Sequence, residues 1–283
     1  RQLEYRKRFL GLIYTSMRWI FGNDFSDHRL VNIEGDKNFF RNSKKEGIAM
    51  KKSNFFVLVI TMVAICFLIN APVVFGEQKI GVIVVDMQGD FTTWKNGSLA
   101  VEGTDKNFVD KVQKTTQELS AKGYPIFGTQ DWHPADHVSF HTNHSGKKPF
   151  EAIEIEDRTQ VLWPPHCVQG TENARVLTDN NLFLAIVKKG KDKQYDSYSG
   201  FQDDGGAKTE MNQILQKNGI KELIVYGIAT DYCVKATAID AVTAGYKVTV
   251  IEGLSKGVAP DTTAKALEEM KAKGIIIKAD LEM

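Results

Sequence analysis

Six short apolar runs, at residues 80–85, 125–129, 182–188, 222–226, 247–251 and 275–278, alternate with helical patterns along this chain. Each run is rich in Val and Ile or bounded by turn residues, as expected of strands buried on both faces. Residues 104–122 place Phe108, Val112 and Leu119 on one helical face, with Thr104 to cap the start and Gly123 to end it. The patterns at 207–218, 231–244 and 262–273 run into Gly219, Gly245 and Gly274. Short strands alternating with Gly-terminated helices predict a three-layer α/β/α fold, with a mostly parallel six-stranded sheet in Rossmann-like topology. Residues 131–162 break the rhythm with a long His- and Pro-containing excursion. In a compact domain, loops of that length are usually functional.

The folded domain is expected to begin near residue 77. Met50 is followed by Lys51 and Lys52, an apolar run over 55–69, and Val74-Phe75-Gly76 before Glu77. That order reads as a secretory signal cut after Gly76, which would export the protein to a periplasm or to the medium. The alternative is an uncleaved membrane anchor, since residues 55–75 are long enough to span a bilayer; without a working signal the protein would be cytoplasmic. Residues 1–49 show no clear periodicity and are expected to be upstream sequence, with Met50 the natural start. Residues 77–283 then form one domain. The first 52 residues hold 12 basic and 6 acidic side chains of the 36 and 35 in the chain, leaving 24 against 29, or about −5, for the rest. That balance gives no reason to expect nucleic acid as a partner. Cys66, Cys167 and Cys233 are the only cysteines, too few for a disulfide framework.

In an open parallel sheet, ligands sit beyond the carboxyl ends of the strands, and four strand ends here carry reactive groups. The first runs into Asp86, the second into Asp131 and His133, the third into Lys189, and the fourth into the turn leading to Cys233. A thiol in the first turn of a helix feels the positive end of the dipole, which favours thiolate. Asp86 follows four apolar residues, and a carboxylate buried there needs a partner; Lys189 is the natural one. Asp86 could take the thiol proton while Lys189 holds the thiolate. Asp131-Trp132-His133 puts a carboxylate and an imidazole on one side of an extended segment, and His166, on a proline-fixed loop, could join them. One divalent metal suits that set, zinc ahead of iron or manganese, with His137 as a candidate extra ligand or neighbour. Asp90, Lys188 and Lys193 read as a loop acid and surface charges. Phe91, Trp94, Trp163 and Tyr232 stand beside these positions as candidate walls for a flat ring.

Six motifs in order, Val84-Val85-Asp86-Met87-Gln88-Gly89-Asp90-Phe91, Gln130-Asp131-Trp132-His133-Pro134, Leu162-Trp163-Pro164-Pro165-His166-Cys167, Lys189-Gly190, Asp196-Ser197-Tyr198-Ser199-Gly200-Phe201 and Gly227-Ile228-Ala229-Thr230-Asp231-Tyr232-Cys233-Val234, resemble the isochorismatase-like cysteine hydrolases, and within them the nicotinamidase (pyrazinamidase) branch. The resemblance implies hydrolysis of nicotinamide to nicotinate and ammonia through a thioester, as in NAD salvage. It implies Cys233 as nucleophile, Asp86 as base and Lys189 as stabilising cation. Asp131, His133 and His166 would bind the metal, and a cis peptide between Ile228 and Ala229 would aim the N–H groups of Ala229 and Cys233 into an oxyanion hole. A homo-oligomer is compatible with it. The rival expectations are another small-amide or ether hydrolase of the superfamily, a zinc hydrolase using metal-bound hydroxide, and a periplasmic nicotinamide- or metal-binding protein.

Overall fold

A computed structural model describes residues 79–156 and 158–281. The expected upstream sequence (1–49) and signal or anchor (50–76) lie outside the described residues. Among the described residues no helix is long and apolar enough to cross a membrane.

The six apolar runs form one sheet from β1 (Lys79–Val85), β2 (Ile126–Asp131), β5 (Phe183–Lys189), β6 (Ile220–Gly227), β7 (Lys247–Ile251) and β8 (Ile276–Lys278). Their order is β5-β2-β1-β6-β7-β8, and every pairing is parallel. Successive side chains of a strand point to opposite faces, so β1 feeds both layers of the core. Ile83 and Val85 join Phe127, Leu215, Ala238 and Met270 on one side. Val82 and Val84 join Phe108, Val112 and Leu119 on the other. Helix α1 (Lys106–Ala121) therefore covers one face, and α2 (Met211–Lys217), α3 (Lys235–Thr243) and α4 (Pro260–Ala272) supply the other.

Two expectations are corrected here. Asp105, not Thr104, caps α1, its Oδ1 accepting from Phe108 N at 2.9 Å. Thr104 is buried and spends its hydroxyl on the carbonyl of Val101, 2.5 Å away. Helix α2 is shorter than 207–218, because Gln202 bridges Lys208 and Thr209 bonds back to Gly200 O at 2.6 Å before the helix starts. The 131–162 excursion contains an antiparallel hairpin, β3 (Ala152–Ile155) and β4 (Arg158–Val161), outside the main sheet.

Candidate active site

Strand β2 runs two residues and β5 one residue further than their apolar patterns, and Asp131 and Lys189 pair across the parallel ladder at their ends. This puts both charged side chains level with Asp86, the residue after β1. Lys189 is fully buried, and its Nζ lies 2.9 Å from Asp86 Oδ2, 2.5 Å from Asp131 Oδ1, 2.6 Å from the carbonyl of Ser197 and 3.5 Å from Cys233 Sγ. Asp86 is held from behind by Thr129, whose hydroxyl donates to Oδ1 at 2.6 Å and accepts from the Asp86 N–H at 3.1 Å. Cys233 sits in a π-helical turn, Thr230–Val234, that joins β6 to α3. The turn follows a cis peptide between Ile228 and Ala229. The carboxylates of Asp86 and Asp131 and the Cys233 sulfur lie within 4.8 Å of one another, with the Lys189 ammonium in contact with all three. The sequence positions thus converge on one ion-paired cluster.

Burial dominates the protonation of this cluster. It pushes the Cys233 thiol well above its ordinary pKa, and Lys189 only partly opposes the effect. The thiolate expected from the helix dipole is therefore not the resting form; desolvation of a sulfur anion outweighs a partial charge at a helix end. Burial also raises Asp86, against the pull of Lys189. For Asp131 the desolvation cost is overcome by Lys189 and then His133, so its carboxyl stays well below the usual range. Lys189 is likewise desolvated, but Asp131 and Asp86 hold it firmly as an ammonium.

Beside this cluster, Asp131, His133 and His166 bring one donor atom each within 4.8 Å of one another. Their orientation fits a metal. His133 Nδ1 faces the Gly190 carbonyl at 3.0 Å and His166 Nδ1 the Pro164 carbonyl at 2.8 Å. Only an N–H can bond a carbonyl, so both rings carry a proton on Nδ1 and present Nε2 as the ligating nitrogen. At His133 burial is outweighed by Asp131, which raises the pKa, so a metal would take the place of a proton there. Burial and the neighbouring His133 lower the His166 pKa to about 4, keeping that ring neutral. Gly190 makes the His133 arrangement sterically allowed: with φ +65, a Cβ there would meet the His133 ring at 2.3 Å. The set suits a divalent ion. The alternative trio of Asp86, Asp131 and Cys233 is already filled by the Lys189 ammonium. The His137 ring lies tilted against His133, centroids 4.4 Å apart, but both its nitrogens face protein oxygens, Ser139 Oγ at 2.8 Å and Tyr195 O at 3.1 Å. It buttresses the ligand ring rather than joining the donor set.

These groups open into a small cleft lined by Phe91, Asp131, Trp163, His166, Ala229, Tyr232 and Cys233. Trp163 and Tyr232 meet edge to face with centroids 5.3 Å apart. Trp94, expected as a fourth wall, is not part of it. That ring is 36% exposed and lies under Lys95, whose Nζ is 4.4 Å from its centroid. Its place is taken by Leu99, Val101 and Val258, while Asp196, Ser197 and Tyr198 complete the lining. Lys193 pairs with exposed Asp136, and Lys188 lies over Trp132, as surface charges do. Asp90 plays a structural part, since its Oδ2 accepts from the Cys167 N–H at 2.7 Å and so anchors the loop that carries His166. Gln88 does the same for Asp131, accepting from its N–H and donating to its carbonyl at 2.8 and 2.9 Å.

The isochorismatase domain model matches residues 81–280. The chain belongs to the isochorismatase family. Within this family it is similar to the nicotinamidase of Escherichia coli (strain K12), with 40% identity over 197 residues, covering 68% of this chain and 91% of the relative. Among solved structures, its fold resembles the pyrazinamidase of Pyrococcus horikoshii in complex with zinc (TM-score 0.59, 36% identity, covering 71% of this chain and 98% of the other). It also resembles the yeast nicotinamidase bound to the inhibitor nicotinaldehyde, with a TM-score of 0.65, 32% identity, and coverage of 71% and 100%.

Proposed function

We propose that this isochorismatase-family enzyme hydrolyses nicotinamide to nicotinate and ammonia through a thioester on Cys233. The observation that carries the reading is the contact of one buried ammonium, Lys189, with Asp86, Asp131 and Cys233 together. A binding protein gains nothing from a thiol wired to a base and a cation, and a metal-hydroxide hydrolase would leave both unused.

At rest the thiol keeps its proton, because burial disfavours the anion. Asp86, within 4.8 Å and itself raised by burial, takes that proton as the sulfur attacks the carboxamide carbon. Lys189 offsets the negative charge that develops on sulfur. The N–H groups of Ala229 and Cys233, both at the cleft, receive the oxyanion. Asp86 then returns its proton to the departing ammonia and activates the water that cleaves the thioester. Phe91, Trp163 and Tyr232 flank the ring of the substrate. Asp131, His133 and His166 would hold a divalent ion, zinc in this proposal, which would supply Lewis acidity in the cleft for the ring nitrogen of the substrate. Asp131 serves both halves of the site, one oxygen toward Lys189 and the other 3.6 Å from His133 Nε2.

The test is ammonia release from nicotinamide by the full chain, with and without a chelator. Turnover that falls on chelation and returns with zinc supports the proposal. Binding of nicotinamide without ammonia release would leave only a binding protein.

A further inference from the structure

Asp196 is a carboxylate that the chemistry above does not use. It is buried, with 4% exposed, yet it lines the cleft. Both of its protein donors are neutral and both go to the same oxygen: Gln160 Nε2 at 2.9 Å and Tyr198 OH at 3.1 Å bond to Oδ2. Tyr198 is steadied in turn by Trp163, whose Nε1 donates to its hydroxyl at 3.2 Å. Among the described residues, none donates to Oδ1, and no Lys, Arg or His comes within ion-pair distance of Asp196. Burying a charge without an opposite charge is costly. Three side chains that fix such a charge, with one face left open to a cavity, imply a cation in that cavity.

The metal ligands supply the other half of the argument. His133 and His166 ligate as neutral rings, and the single carboxylate of the set, Asp131, already shares its charge with Lys189 at 2.5 Å. Lys189 is itself shared between Asp131 and Asp86, so the direct donors bring less than the charge of two carboxylates to a divalent ion. Asp196 lines the same cleft as Asp131 and His166, and among the described residues it has no cationic partner of its own. It is not one of the three donors that converge, so its action is not by direct ligation.

We infer that Asp196 is an outer-sphere partner of the divalent ion, a positioning residue held by Gln160 and Tyr198 that supplies charge and accepts a hydrogen bond from a water on that ion. This rests on the reading that Asp131, His133 and His166 bind the metal. Orienting partners of this kind typically change metal affinity by about 10–100-fold.

The experiment is competition for Zn²⁺ between the full-length metal-free protein and a chromophoric chelator, with thermal melting of the metal-free form alongside. Asp196→Asn is expected to weaken zinc binding by about 10–100-fold, while the metal-free variant melts at or above the wild-type temperature because an uncompensated buried charge has gone. A residue with a purely structural role would lower that melting temperature instead. Gln160→Leu, which keeps the carboxylate but frees it, is expected to weaken zinc binding by a smaller factor, and it carries the test should the Asn variant not fold. Asp110→Asn on the exposed face of α1 controls for net charge and should change nothing. Wild-type zinc affinity in the folded Asp196→Asn or in Gln160→Leu overturns the assignment, and a rise in KM for nicotinamide alone would make Asp196 a substrate contact. A wild-type chain that binds no zinc removes the underlying metal reading as well, so the two failures are distinguishable.

Discussion

At the scale of single residues, the site is an arrangement of burial against charge. Lys189 makes three buried acidic groups tolerable to one another, while Thr129 holds the Asp86 side chain, Gln88 the Asp131 backbone and Gly190 the His133 ring. Cys233→Ala should lower turnover by at least ~10³-fold, as removal of other covalent nucleophiles does, while calorimetry still registers nicotinamide binding. Near-normal turnover in that variant would end the covalent proposal. The acid side of the pH profile belongs to Asp86, which must be ionised to accept the thiol proton. Because burial raises its pKa, kcat/KM should fall with decreasing pH at a midpoint above the ordinary aspartate value of 3.8. A limb at or below that value in a pH–rate profile would contradict the assignment. Gly190→Ala places a methyl in the His133 ring and should weaken metal binding by about 10-fold or more, measured against a competing chelator. Unchanged affinity would show that the ring can turn without losing its ligand position.

At the scale of elements, the central strands β1, β2 and β6 were legible because they are buried on both faces, which leaves a short apolar run as their signature. The reactive residues were legible for a related reason: a polar side chain directly after such a run marks the sheet edge where a site can open. What could not be read was anything decided by contacts between distant segments. Trp94 stands four residues from Asp90 in sequence, but the local 3₁₀ turns swing it to the surface and bring Leu99 and Val101 into the wall instead. Asp196 was visible as part of a motif, yet its partner Gln160 lies on a hairpin that no local pattern announces. Asp231 is a similar case. Its carboxylate accepts from Val258 N at 2.9 Å and from Thr262 Oγ1 at 2.5 Å, so it pins the loop before α4 and the first turn of that helix from another element. It thereby ties the turn of Cys233 to Val258 in the cleft wall. Asp231→Asn should cost about 1 kcal/mol in weakened hydrogen bonds, or roughly 2–4 °C in Tm for a domain of this size, and should raise KM for nicotinamide. An unaltered Tm and KM would show that the loop is held by other means.

At the scale of the whole molecule, every residue assigned to chemistry or metal lies between 86 and 233, inside the 81–280 isochorismatase match. Export and the division at Gly76 remain a proposal read from sequence; N-terminal sequencing of the natural protein and cell fractionation test it, and a mature end inside residues 1–49 would contradict it. A chain starting at Glu77 should keep kcat/KM for nicotinamide unchanged, and a large loss on that truncation would mean that the preceding residues take part in the site. The central claim is that the Cys233 sulfur becomes acylated. It is tested most directly by acid-quenching the enzyme during turnover of nicotinamide and mapping the adduct by mass spectrometry. The expected result is a nicotinoyl thioester on the peptide containing Cys233, absent when substrate is omitted; steady turnover with that cysteine unmodified at every quench time, and with Cys233→Ala still active, would contradict the account.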